Sequence, residues 1–253
     1  MRRIAAVSVN HNTSLYMELM LRSLFATHTA LDNLGLNLTV LDNRSEDDTS
    51  SLRAYAAGVG VPILPSGFTT HTRHNSHGEV LRRFVLDHPA ATHYLFLDAD
   101  VVFHQDDTLD TLANDLDSSP DDVFAAAPRV GHAHNGEEVT DKDNIYERRL
   151  HPLCALIRNT PTLRRVAEHI GFSCARFLWP DRDQYLDTNE LMTIVMRTHG
   201  MRYVRSSPMV LHFFGVSYDL YGETYLQNKA KTRDRLLAGY GGRVGLVDER
   251  RSV

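Results

Sequence analysis

The feature that most constrains this chain is the stretch from His93 to Phe103, HYLFLDADVVF. Leu95, Phe96 and Leu97 form a short apolar run suited to a buried strand, which breaks off at Asp98-Ala99-Asp100. Two carboxylates are thereby expected at the carboxyl end of a strand, and in open α/β sheets ligands bind in the crevice beyond those ends. Strand alternation points Asp98 and Asp100 to one side, with Ala99 turned away. Like charges this close repel unless a cation stands between them, and Mg²⁺ or Mn²⁺ prefers oxygen ligands. The plain alternative is a solvated turn, because Asp is a favoured turn residue.

Apolar periodicity places elements on both sides of this stretch. Ile4 to Val9 reads as a first buried strand, followed by a polar turn at Asn10, His11 and Asn12. Thr13 or Ser14 caps a helix carrying Met17, Met20, Leu21 and Leu24 on one face. A second strand, Leu38 to Leu41, ends in another acid, Asp42. A helix from Ser50 to Ala57 stops at Gly58, and Val61 to Leu64 is a weak third strand. GFTTHTRHNSHG lacks periodicity and reads as a loop; a helix runs on from Gly78.

Beyond the central strand, a helix is expected from Asp107 to Leu116 and a strand from Val123 to Ala127. Gly131 to Arg149 is charged and reads as a mobile loop. Pro152 to Ile157 is a strand, and the next helix has Asn159 or Thr160 as cap, Pro161 in its first position and Gly171 after its end. A helix from Thr188 to Arg197 closes at Gly200, and a short strand through Tyr203 leads to Val210-Leu211-His212-Phe213-Phe214. Thr224 to Leu237 is a basic helix, with a glycine-rich flexible tail after it. Strands alternating with helices predict an α/β domain with a mostly parallel central sheet covered on both faces. The expected division is one domain over 1–237, with a nucleotide-binding half of about 1–105 and an acceptor-side half of about 106–237, and a tail over 238–253.

Composition excludes several classes. A formal charge of -5 argues against a dedicated nucleic-acid binder, though not against a local basic pocket. Cys154 and Cys174 have no metal-binding spacing and give no disulfide scaffold, so a reducing cytoplasm is expected. MRRIAAVSVNHN only faintly echoes a signal peptide and is read as a strand. No segment approaches the roughly 20 apolar residues that cross a bilayer, which leaves peripheral membrane attachment open.

Asp42 and the pair Asp98 and Asp100 offer acids to one crevice. One accepts hydrogen bonds from a base or ribose, and a pair suits a metal bridging phosphate oxygens. The runs VSVNHN, LDNRSEDDTS, YLFLDADV and LHFFGVSY, in that order, resemble the family-2 glycosyltransferases of GT-A fold. That family's D-N-x-S-x-D-x-T sequence matches Asp42, Asn43, Ser45, Asp47 and Thr49; its D-x-D signature matches Asp98 and Asp100, and its later histidine His212. The likeness covers the first hundred residues well and the rest thinly.

The resemblance implies a metal-dependent transferase that moves a sugar from a nucleoside diphosphate sugar to a hydroxyl or amine acceptor, with inversion. Asp42 would bind the base, Asp98 the ribose or a metal-bound water, and Asp100 the metal (Mn²⁺ or Mg²⁺), with His212 as a further ligand. The nucleotide-binding candidates are Asn10, Asp42, Arg73, His77, Asp98 and Asp100; the metal candidates are Asp98, Asp100 and His212. A core role for His212 stays open, as does a solvated loop for His71, Arg73, His74 and His77. The basic C-terminal helix either closes over the diphosphate or is a solvated face.

Direct displacement also needs a carboxylate near the acceptor hydroxyl. The family places it in an acidic doublet, but this chain has Asp187 followed by Thr188. Asp187 is the candidate base, with Asp183 and Glu190 behind it, and a helix cap is its alternative role. Trp179 is either a face for a sugar or apolar acceptor or a core residue. Two other functions stand beside the transferase: a haloacid dehalogenase-type phosphohydrolase with Asp98 as nucleophile, and a non-catalytic sugar-nucleotide binder. Donor base, donor sugar, acceptor (small molecule, glycan or lipid-linked) and oligomeric state are not set by the sequence.

Overall fold

The computed structural model describes residues 2–68, 76–139, 148–216 and 222–241. Its core is an eight-stranded sheet: β1 (Ile4–Asn10), β2 (Leu36–Asp42), β3 (Ile63–Pro65), β4 (His93–Asp98), β5 (Val101–Phe103), β6 (Val123–His132), β7 (Cys154–Arg158) and β10 (Arg202–His212). They lie in the order β3-β2-β1-β4-β7-β6-β10-β5. The β3-β2-β1-β4 half is parallel throughout, and β10 runs parallel to β6. β7 is antiparallel to both its neighbours, and β5 to β10. The sheet is mostly parallel, as expected, with a reversed strand next to the one that carries the acids.

Helices cover both faces: α1 (Ser14–Thr27), α2 (Ser50–Gly58), α3 (Ser76–Asp87), α4 (Thr108–Ser118), α5 (Pro161–His169), α6 (Glu190–Thr198) and α7 (Glu223–Gly241). Alternation along β4 divides the core. Leu95 and Leu97 join the stripe Met17, Met20, Leu21 and Leu24 on one face, while Tyr94 and Phe96 join Phe84, Val85 and Met192 on the other. Each large apolar side chain buried this way contributes roughly 1.5–3 kcal/mol. β4 is buried on both faces because it is central, which explains its unbroken apolar run.

Local signals account for most helix ends. Thr160 accepts a hydrogen bond from the Leu163 amide, Pro161 opens α5, and Gly171 follows it at φ +80°. α2 runs through Gly58, and the left-handed residue is Gly60. Arg202–His212 is one strand with a register shift between Arg205 and Met209 where two pieces are expected. Gly131 and His132 belong to β6, so the expected 131–149 loop starts later, and residues 140–147 lie outside the described residues.

A hairpin not foreseen from the sequence, β8 (Ala175–Leu178) and β9 (Asp183–Leu186), pairs only with itself and leads into Asp187. α7 extends to Gly241, and the Tyr240 hydroxyl donates to the Phe103 carbonyl. Residues 242–253 lie outside the described residues.

Candidate active site

β4 ends at Asp98, and Ala99-Asp100 turn the chain into β5. The two acids therefore face each other across a turn, not along a strand. They still converge, because the end of β10 delivers His212 between them. His212 Nε2 lies 2.9 Å from Asp100 Oδ1 and 3.9 Å from Asp98 Oδ2. One ligand atom from each of the three lies within 4.8 Å of the others, the one such group among the described residues. Asp100 and His212 are buried and Asp98 nearly so. A solvated turn is thus ruled out.

Burial and mutual charge set the electrostatics of the three groups. Burial, with the charge of Asp100 adding to it, raises the Asp98 carboxyl above its usual range. Burial opposes charge on Asp100 as well, but its ion pair and hydrogen bond with His212 outweigh this and hold it low. The same pairing raises His212 against the effect of its own burial. His212 Nδ1 has no hydrogen-bond partner among the described residues. Two hard carboxylates and one imidazole, convergent and mostly buried, fit Mn²⁺ or Mg²⁺.

Two histidines flank Asp98. His77, in the first turn of α3, places Nε2 3.8 Å from Asp98 Oδ1. His151, unmarked by any sequence motif, places Nδ1 3.7 Å from Asp98 Oδ2 and accepts the Leu153 amide hydrogen bond on that atom. Burial, then the Arg149 charge, depresses His151 well below its ordinary value, so it is neutral. Gly78 lets α3 pack against the backbone after α5, since a Cβ there would meet Ser173 Cα at 2.3 Å. The basic helix reaches the site through Lys229, which donates to the Phe214 carbonyl at 2.7 Å and which burial lowers to about 8.

Asp42, at the end of β2, is half-buried. Asn10 is fully buried, and its amide is occupied within the protein. It donates to Asp42, Ser45 and Ser14, and accepts from Thr13. The Asn10 side chain is thus held inside the protein, where its amide steadies Asp42. Asp47 caps α1 from the neighbouring loop, accepting from the Ser14 amide and hydroxyl at 2.9 Å each. Asn43 accepts from Ser66. Most of the D-N-x-S-x-D-x-T motif thus latches two loops together beside the half-buried Asp42. Arg73, with His71 and His74, lies outside the described residues.

Asp187 precedes α6. Its Oδ2 lies 2.8 Å from Nη2 of Arg149, a residue only 2% exposed, and its Oδ1 accepts from the Thr188 amide. Glu190 accepts from the Asp187 amide at 2.9 Å, and Arg149 also donates to the Thr188 carbonyl. Asp183 lies on the hairpin, paired with Arg176 at 2.9 Å and away from this cluster. Trp179 is 49% exposed and stacks on Phe177 with ring planes 17° apart, so it is a surface aromatic and not a core residue.

The sequence matches no protein-family model and no curated protein. Solved structures do match. A mannosyltransferase of Pyrobaculum calidifontis, solved with GDP-Man and Mn²⁺, aligns over 96% of this chain and 76% of its own, at TM-score 0.56 and 16% identity. Glucosyl-3-phosphoglycerate synthase of M. tuberculosis aligns over 95% and 81%, at 0.53 and 14%. S. aureus TarS 1-349, solved with UDP-GlcNAc, aligns over 95% and 71%, at 0.55 and 14%. The fold shared with these proteins is the GT-A fold. No helix among the described residues is long and apolar enough to cross a membrane.

Proposed function

We propose that this chain is a metal-dependent glycosyltransferase that uses a nucleoside diphosphate sugar and transfers the sugar to an acceptor hydroxyl with inversion. The observation that carries this reading is the convergence of Asp98, Asp100 and His212 at the ends of β4 and β10, on a sheet of GT-A type. The structural relatives solved with GDP-Man and Mn²⁺, or with UDP-GlcNAc, support the donor class. We read 1–237 as one catalytic domain, supported by a single sheet that includes strands from both halves. Two buried free thiols suit a reducing compartment, and the cytoplasm is our reading of its location.

Asp98, Asp100 and His212 would hold the divalent ion, which when bound supplies positive charge to the leaving diphosphate. Asp42, steadied by Asn10, accepts hydrogen bonds from the nucleoside. His77 and Lys229 border the acids and add donors toward the diphosphate side. Asp187 is the base that takes the acceptor proton, and Arg149 and the Thr188 amide fix its carboxylate. Direct displacement needs this orientation, because an acceptor must approach in line. Trp179 offers its face to the acceptor.

The phosphohydrolase alternative gains no support, because the aligned structures include sugar-nucleotide transferases and the acids are shared with a histidine from β10. Incubating the protein with Mn²⁺ and a panel of nucleoside diphosphate sugars tests the reading. Transfer to an acceptor, or slow release of nucleoside diphosphate, is expected. Tight donor binding with neither would mark a non-catalytic binder.

A further inference from the structure

On the far side of β4 from Asp42 lies a pocket formed by β6, β7, β10 and the segment before β7, lined in part by Pro128, Arg149, His151, Tyr203 and Arg205. Its walls are otherwise largely apolar, and the charged side chains in them, Arg149 and Arg205, are basic. Arg149 is buried, and its Nε has no hydrogen-bond partner among the described residues. Arg205 meets Glu138 only at 3.9 Å, and that carboxylate is held at 3.0 Å by Arg129. Burying a guanidinium with an unmatched N–H is unfavourable unless an acceptor arrives to satisfy it. Planar guanidinium groups match the oxygens of phosphate and carboxylate.

We infer that this pocket is an oxyanion subsite and that it receives a phosphate or carboxylate group carried by the acceptor. Its place in the fold favours the acceptor over the donor. One wall, His151, lies 3.7 Å from Asp98, and another, Arg149, lies 2.8 Å from Asp187. The pocket therefore sits between the candidate metal ligands and the candidate base, whereas Asp42 and the loops it anchors lie across β4. An anion anchored here would hold a neighbouring hydroxyl of the same molecule toward Asp187. Naming the anion as the acceptor's rests on the glycosyltransferase reading; the existence of the subsite does not.

The test is calorimetric titration of inorganic phosphate, and separately of malonate, into the full chain at fixed ionic strength. It is repeated with Arg205→Gln and with saturating Mg²⁺ and nucleoside diphosphate. Binding that weakens tenfold or more in Arg205→Gln and persists beside the nucleotide supports the subsite, and the tighter ion tells phosphate from carboxylate. Equal binding by Arg205→Gln, or complete displacement by the nucleotide, overturns it. Arg205 is chosen because it is exposed, so its replacement leaves the fold intact where Arg149→Met endangers it. If Mg²⁺-dependent nucleotide binding fails, the donor reading falls by itself, since the phosphate titration needs no nucleotide.

Discussion

His212 Nε2 stands 2.9 Å from Asp100 Oδ1, joining the end of β10 to the turn after β4 across 112 residues of sequence. A proton shared in this hydrogen bond would compete with a cation for the same pair of side chains.

Competition between proton and metal follows from that contact. The folded protein raises His212 above 6.5 and lowers Asp100 below 3.8. The His212 contribution to stability is full below its unfolded value and is lost as pH rises through the higher folded one. The Asp100 contribution is present above its unfolded value and is lost as pH falls through the lower folded one. The Asp100–His212 pair is therefore expected to contribute most between about pH 4 and 6.5 and less above that window. The difference between wild type and His212→Ala isolates it from the depressed His151 and the raised Asp98, which act in the opposite sense. Metal affinity moves the other way, rising by up to about tenfold per pH unit until His212 is neutral. Thermal melts and Mn²⁺ titrations from pH 5 to 9 check both slopes, and His212→Ala is expected to flatten them.

Asp187→Asn is expected to lower kcat by about 10²–10⁴ while donor affinity stays within a factor of two. It also leaves the buried Arg149 charge without its partner. The stability loss is about 1–3 kcal/mol, at the low end because the Asp187 side chain is 38% exposed and water screens the pair. Steady-state kinetics with a melt of the same sample separate the two effects. Full activity in Asp187→Asn would move the base elsewhere.

Asn10→Ala removes the amide shared by Asp42, Ser45 and Ser14 and leaves buried oxygens unpaired. A loss of about 1–3 kcal/mol is expected. Nucleotide affinity should fall while Mn²⁺ affinity holds, because Asn10 touches none of the three metal candidates. Asp42→Asn is expected to reproduce the nucleotide effect with little change in Tm.

Gly78→Ala drives a Cβ into the backbone of Ser173, which no side-chain rotation relieves. A loss of about 1–3 kcal/mol or more is expected, with weaker donor binding as α3 carries His77 away from Asp98. Denaturant unfolding and nucleotide titration check it.

The parallel strands were legible because burial on both faces leaves unbroken apolar runs, as in β1 and β4. The β8–β9 hairpin was not, since Arg176, Phe177 and Leu178 are all exposed and show no burial pattern. β10 read as two pieces because Ser206, Ser207 and Pro208 interrupt its apolar pattern; in the fold this is where the register shifts. The acids at strand ends announced themselves by position. Arg149 and His151 did not, because the charged stretch before them has no period and only the reversal of β7 brings them beside Asp98. The burial of Asn10 was equally hidden, since a polar residue at a strand end reads the same whether its side chain meets a ligand or neighbouring loops.

The most direct test of the central claim is calorimetric titration of nucleoside diphosphates into wild-type protein and Asp100→Asn, with and without Mn²⁺. Wild-type protein is expected to bind at least tenfold tighter with the metal, and Asp100→Asn to lose that difference while remaining folded. Metal-independent binding in the wild type, or an unchanged metal effect in Asp100→Asn, would contradict the assignment of Asp98, Asp100 and His212 as the metal site.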